Sequence, residues 1–268
     1  MGRCISPFRK KESGIDLPCG KCYECKARRV SGWSFRLMKE AEVSTSAFFV
    51  TLTYAPEYTK TTKNGFMNLD KRDLQLFMKR LRKRNENKLK YYAVGEYGGK
   101  TDRPHYHIIL LNADVETIQY AWELGEIHIG DVNESSIGYT LKYVSKESRI
   151  PKHQNDDRQK EFSLMSKKMG ENYLTPQMIN WHLNENAILD RMYCNLKDGK
   201  KIAMPRYYRD KIYSDFDKFR IQKHMERQEC AKDVDKTRDK ILEEMKKEDL
   251  IRINKAKKAQ KEQRFTTI

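Results

Sequence analysis

Two runs rich in β-branched and aromatic residues, 91–96 and 105–111, flank Tyr97-Gly98-Gly99-Lys100-Thr101-Asp102-Arg103-Pro104, a connection built from turn formers. This pattern predicts a hairpin, whose strands must run antiparallel. Further strand-type runs at 47–54 and 126–132 alternate with helical stretches at 24–41, 114–124 and 135–145. The hairpin therefore argues for an α+β fold with a largely antiparallel sheet rather than a doubly wound parallel one. After the turn at Asn64-Gly65, Asn68 can cap a helix whose Leu69, Leu74, Phe77, Met78 and Leu81 form an apolar stripe opposite a basic face. That stripe is expected to pack on the sheet.

Four stretches follow from the changes in pattern. Residues 1–26 carry a cysteine cluster, 27–150 form the principal domain, 151–214 read as an irregular extension, and 215–268 as a charged helical tail. Lys+Arg 54 against Asp+Glu 38 leaves a formal charge of +16, which suits a polyanionic partner. No apolar run is long enough to span a bilayer, and residues 1–10 lack the apolar middle of a signal peptide. The expectation is a cytosolic protein with no membrane partner. Its six cysteines then read as thiols or metal ligands rather than a disulfide framework.

His105-Tyr106-His107 lies in a strand, where alternation puts both imidazoles on one face about 7 Å apart. If Glu96 pairs with any odd-numbered residue across the hairpin, its carboxylate joins them. A His-His-Glu set with open positions suits a catalytic divalent ion that also binds phosphate oxygens. By itself the pair is a weak signal that two strand histidines with ordinary hydrogen bonds explain better, and context has to raise the metal reading. Two familiar alternatives fail, because a histidine triad needs a third histidine where Ile109 stands and a cupin site needs a Glu within 108–111.

On the helix over 135–145, Tyr143 sits about 40° round from Tyr139, and Lys146 about 20° on its other side, so all three share a face. An amphipathic helix with buried tyrosines and a solvated lysine has the same pattern. A phenol, with a pKa of about 10, becomes a useful nucleophile only when a cation or base stabilises its oxyanion, and Lys146 beside a metal offers that setting.

Phe48-Phe49-Val50-Thr51-Leu52-Thr53, Arg103-Pro104-His105-Tyr106-His107 and Tyr139-x-x-x-Tyr143-x-x-Lys146, in that order, resemble the three motifs of rolling-circle initiators of the HUH endonuclease superfamily. Pro18-Cys19-Gly20-Lys21-Cys22-Tyr23-Glu24-Cys25, Gly95-Glu96-Tyr97-Gly98 and Pro205-Arg206-Tyr207-Tyr208 further resemble initiators of gokushovirus-type Microviridae phages. The resemblance spans roughly residues 18–211. It implies a central antiparallel sheet flanked by helices, Mg²⁺ or Mn²⁺ as cofactor, and action in the host bacterial cytoplasm. It also implies nicking of single-stranded origin DNA through a 5′-phosphotyrosine, then rejoining of unit-length circles. His105 and His107 correspond to metal ligands, Glu96 to a third ligand, and Tyr139 and Tyr143 to nucleophiles.

Gly95-Glu96-Tyr97-Gly98-Gly99-Lys100-Thr101 falls one residue short of a phosphate-binding P-loop and precedes a strand, so strand separation is expected from a host helicase alongside other host replication proteins. Arg103, Lys79, Arg80, Arg206, Tyr207 and Tyr208 are candidates for phosphate contacts or base stacking, although solvated helix faces and core packing account for such residues too. Cys4, Cys19, Cys22 and Cys25 have the composition of a structural zinc site, but their spacing departs from paired Cys-x-x-Cys knuckles, and free thiols at a helix start are preferred. A plasmid initiator or mobilisation relaxase would share the histidines and tyrosines. A non-catalytic basic nucleic-acid-binding protein would make them all structural, against the ordered coincidence of three motifs.

Overall fold

The computed structural model describes residues 4–9, 16–145, 150–232 and 243–254. In chain order these form β1 (Phe8–Arg9), β2 (Asp16–Leu17), α1 (Tyr23–Ala41), β3 (Ala47–Thr53), α2 (Lys71–Arg84), β4 (Lys90–Tyr97), β5 (Pro104–Leu111), α3 (Val115–Gln119), β6 (Ile127–Asp131) and α4 (Glu134–Ser145). There follow β7 (Phe162–Met165), α5 (Pro176–Leu183), β8 (Tyr193–Asn195), β9 (Lys201–Ala203), α6 (Arg206–Ile212) and α7 (Asp215–Lys232). The fold is α+β. The chain divides into two compact units, Arg29–Thr175 and Met1–Arg28 with Pro176–Ile268.

Within Arg29–Thr175, five strands form one antiparallel sheet in the order β6-β3-β5-β4-β7. Strand alternation sorts its side chains onto two faces. On one, Val50, Leu52, Tyr106, Ile108 and Leu110 meet the α2 stripe of Leu74, Phe77, Met78 and Leu81, all essentially buried. On the other, Tyr92, Val94, Ile109 and Leu111 pack with Leu37 of α1 and with Ile137 and Leu141 of α4. The second face is the one that meets the tyrosine helix.

Three local expectations are corrected. The α2 cap is Asp70, whose carboxylate accepts from the Arg72 N–H at 2.7 Å; Asn68 instead accepts from the Gln159 N–H, also at 2.7 Å, and from Tyr97 Oη. The helix foreseen over 114–124 is a short turn, Val115–Gln119, capped by Asp114. Nor is the stretch 151–214 irregular throughout: β7 is an edge strand of the main sheet, with Phe162 opposite Gly95. A Cβ on Gly95 would stand 3.0 Å from the Phe162 ring, so this glycine makes room for the edge strand.

In the other unit, β1 and β2 pair over two residues each, and β8 and β9 form a second small hairpin. Tyr208, Ile212, Tyr213 and Ile221 are buried, as is His182, which bonds the Arg191 carbonyl at 2.8 Å. Part of the tail is helical as expected, over Asp215–Lys232 and 243–254. Burial of Ile221 shows that α7 makes an apolar contact that a purely solvated tail would not. Among the described residues, no helix is long and apolar enough to cross a membrane.

Candidate metal and nucleophile site

Glu96 lies directly opposite His105 in the β4–β5 ladder, and Val94 opposite His107. The parity condition on Glu96 is thus met in its simplest register, and the three side chains share the face covered by α1 and α4. Their ligand atoms all lie within 4.8 Å of one another. Glu96 is only 2% exposed, a burial that a lone carboxylate does not tolerate without partners.

The hydrogen bonds around the histidines bear on what the trio can hold. His105 Nδ1 is 3.1 Å from the Arg103 carbonyl, which only accepts, so Nδ1 carries the proton. His105 Nε2 then faces Glu96 Oε1, a second acceptor, at 2.8 Å. Two acceptors at that distance require either a second proton on the ring or a cation between them. His107 Nδ1 is oriented by Thr51 Oγ1 at 3.0 Å; its Nε2 lies 3.0 Å from the same Glu96 oxygen but out of line for a hydrogen bond. That Nε2 is buried with no hydrogen-bond partner. An orphaned imidazole nitrogen and an acceptor pair, both aimed at one carboxylate oxygen, fit a divalent cation held by two imidazoles and a carboxylate.

Titration behaviour agrees with this frustration. Burial pushes the Glu96 carboxyl up, but bonding to His105 and Tyr143 and the nearby His107 ring outweigh it and hold it at about 2. Burial lowers the His105 pKa, yet the Glu96 carboxylate more than compensates and raises it. The Nε2 on which that shift favours a proton is the atom that would ligate a metal.

Both tyrosines arrive from α4. Tyr139 Oη is 3.5 Å from Glu96 Oε1, and its ring stands edge-on to His107 with centroids 5.0 Å apart. Tyr143 also bonds Glu96, and the two phenol rings are 6.1 Å apart. Burial, and then the Glu96 charge, raise the pKa of both phenols. As they stand the phenols are therefore poor nucleophiles, and a cation that neutralises Glu96 would reverse the electrostatic part of that penalty. Lys146 lies outside the described residues. Lys142 places Nζ 5.9 Å from the centre of the Tyr139 ring.

Sequence reasoning passed over Thr51, which orients His107, and Phe49, which stacks on His107 with centroids 5.5 Å apart. Both stand in the first quoted motif. Their signal was strand alternation, but the register of β3 against β5, which sets Thr51 opposite His107, depends on tertiary pairing.

The proposed DNA contacts are scattered by comparison. Arg103 donates to the Tyr54 carbonyl and so braces the strand end beside the hairpin turn. Lys79 is exposed on α2, on the sheet face opposite the histidines, while Arg80 is engaged with Glu123 at 3.2 Å. In the other unit, Arg206 is exposed and paired with Asp210, and Tyr207 carries Lys211 near its ring. Tyr208 is fully buried, which removes it as a base-stacking residue.

Comparison with known proteins adds an independent line. Residues 47–148, which span β3 through α4 and include Thr51, Glu96, both histidines and both tyrosines, match the model of the family "Replication-associated protein ORF2/G2P". The chain is 27% identical to the replication-associated protein VP4 of Bdellovibrio phage phiMH2K, over 75% of this chain and 69% of that protein. It is 26% identical to the replication-associated protein ORF2 of Spiroplasma virus 4, over 77% and 73%. The replication-associated protein ORF4 of Chlamydia phage 1 is 25% identical, over 75% of this chain and 54% of its own length. No solved structure matches the chain. These relatives support the resemblance carried by the motifs, that of a replication initiator of the Microviridae type.

Proposed function

We propose that this relative of phage replication-associated proteins starts rolling-circle replication by cutting single-stranded origin DNA with a tyrosine and later rejoining the ends. One observation carries the reading: two phenols and two imidazoles converge on one buried carboxylate, that of Glu96. A purely structural cluster has no use for an orphaned His107 Nε2 beside a carboxylate that raises both phenol pKa values.

Glu96, His105 and His107 would hold Mg²⁺ or Mn²⁺, which when bound supplies positive charge to a scissile phosphate and to a forming phenolate. The chain's own residues do the rest. Thr51 and the Arg103 carbonyl fix the two imidazoles, and Phe49 and Tyr139 wall the His107 ring on its face and edge. A tyrosine loses its proton, its oxygen bonds to phosphorus, and the P–O3′ bond breaks; the departing 3′ oxygen takes up a proton. The 5′-phosphotyrosine keeps the phosphodiester energy, so a later 3′-hydroxyl reverses the step without a nucleotide cofactor. A second tyrosine one helical turn away allows a second transfer while the first end is held. Lys146, three residues after Tyr143 in the sequence, would stabilise the phenolate, and a host helicase would separate the strands.

The test is incubation with circular single-stranded phage DNA and Mg²⁺ or Mn²⁺, followed by denaturing electrophoresis for a covalent adduct. The wild type should form it. Replacing His105 and His107 together by Ala should abolish it while leaving salt-dependent DNA binding largely intact. Undiminished cutting by the double variant, or by the wild type in excess chelator, would falsify the metal site.

A further inference from the structure

Far along the sequence from the histidines, Cys4, Cys19, Cys22 and Cys25 bring their four sulfurs within 4.8 Å of one another. Cys4 precedes the β1–β2 hairpin, Cys19 follows it, Cys22 stands just before α1, and Cys25 lies in its first turn. A zinc ion with thiolates at about 2.3 Å sets its sulfurs about 3.8 Å apart at tetrahedral corners. Cys4 and Cys22 are already 3.9 Å apart, close to that edge and far beyond a disulfide bond. All four are free thiols.

The backbone is arranged for thiolates as well. The Cys19 N–H donates to Cys4 Sγ at 3.1 Å, and the N–H groups of Lys21 and Cys22 donate to Cys19 Sγ at 3.4 and 3.3 Å. Such bonds spread the negative charge of a metal-bound sulfur and orient it. Four thiolates leave a net charge of about −2 on Zn²⁺, and Lys21 and Lys26 adjoin the ligands in sequence.

A packing argument points the same way. Strands of two residues are far below the length that sustains an isolated hairpin. The apolar side chains of this one do not supply a core, since Phe8 is 64% and Leu17 43% exposed. A cross-link between the hairpin ends and the helix start would supply what burial does not. The spacing, which argues against paired knuckles, is satisfied by another route: a hairpin brings Cys4 back to the Cys19-x-x-Cys22-x-x-Cys25 turn.

We propose that Cys4, Cys19, Cys22 and Cys25 bind one structural Zn²⁺ that fastens the N-terminal hairpin to the start of α1. This site is separate from the histidine site and does not depend on the nickase reading. Four protein ligands close the coordination sphere, so the role is structural rather than hydrolytic.

Elemental analysis of the full chain, purified without chelator and with zinc in the medium, should find about one zinc per chain. Cys19→Ser with Cys22→Ser should lower it at least about tenfold, whereas the His105 and His107 double alanine variant should keep it. Cobalt exchanged into the wild type provides a readout that needs no cysteine variant. A four-thiolate site gives intense tetrahedral visible bands and a thiolate-to-cobalt charge-transfer absorption in the near ultraviolet. A wild-type chain without tightly held zinc, a cysteine double variant that retains it, an octahedral cobalt spectrum, or a disulfide in the intact mass would each overturn the proposal.

Discussion

Glu96 sits at the meeting point of four side chains, and its protonation chemistry sets how the site responds to pH. The His105 pKa is raised by that carboxylate, so an incoming metal must displace a proton from Nε2. The sign follows directly: above the raised pKa the nitrogen is free to ligate, and below it metal and proton compete. The Mn²⁺ concentration for half-maximal adduct formation should therefore rise about tenfold per pH unit on the acid side of that pKa. Glu96 stays ionised down to about 2 and adds nothing to this decline. A titration flat through the imidazole range would remove His105 from the ligand set. The two tyrosines divide by position. Tyr143 has Lys146 three residues on, so Tyr143→Phe should lose most initial adduct, and Tyr139→Phe should still cut but fail to release joined circles. Peptide mass spectrometry of the adduct assigns the linked residue, and DNA found only on Tyr139 would reverse the order. At this scale strand and helix periods put the histidines, Glu96 and the tyrosines on shared faces, but those periods fit structural residues as well, and their reading as a site came from the ordered motifs. Thr51 could not be read in this way, because its role depends on which strand lies beside β5.

The strand β5 works on both of its faces, and its element-level logic explains why a histidine pair can be built without weakening the core. Between His105 and His107, Tyr106 points the other way and is fully buried. Its hydroxyl lies 2.7 Å from Tyr54 Oη, donates to the Asp70 carbonyl at 2.8 Å and accepts from the Asp70 N–H at 3.1 Å. It thereby ties the sheet to the cap of α2. Tyr106→Phe should destabilise the chain by about 1–3 kcal/mol, because buried groups lose their partner. Urea denaturation measures the loss, and Mn²⁺ affinity should stay unchanged, since the site occupies the opposite face. Altered metal affinity with unchanged stability would contradict this separation of faces. The hairpin, the sheet class and the main helices were legible because hydrophobic period and turn residues are local signals. The α2 cap and β7 were not: Asn68 and Asp70 are both good cap residues, and Phe162–Met165 is too short for its alternation to stand out.

Across the whole molecule, the proposed function raises the question of where a charge of +16 would meet DNA, and the sequence suggests the tail more strongly than the arithmetic allows. Residues 233–268 hold 11 basic and 8 acidic residues, only +3 of the total. Residues 71–90 alone hold 9 basic and 2 acidic, a balance of +7 in one helix and the strand entry after it. Lys79, Arg82 and Lys83 are exposed there, on the side of the sheet away from the tyrosines. Phosphates bound by α2 would thus belong to a stretch of DNA distinct from the one being cut. Replacing these three by Ala should lower the salt slope of single-strand binding by about 2, at roughly 0.7 for each phosphate that is no longer neutralised. Removing residues 233–268 should change that slope by less, since most of its charges cancel within the tail. Cutting of a short oligonucleotide should survive both changes, because all the site's described side chains lie within 29–175. Fluorescence anisotropy across a salt series gives the slopes. A tail deletion that lowers the slope more than the α2 variant would move the DNA-binding surface from the helix to the tail.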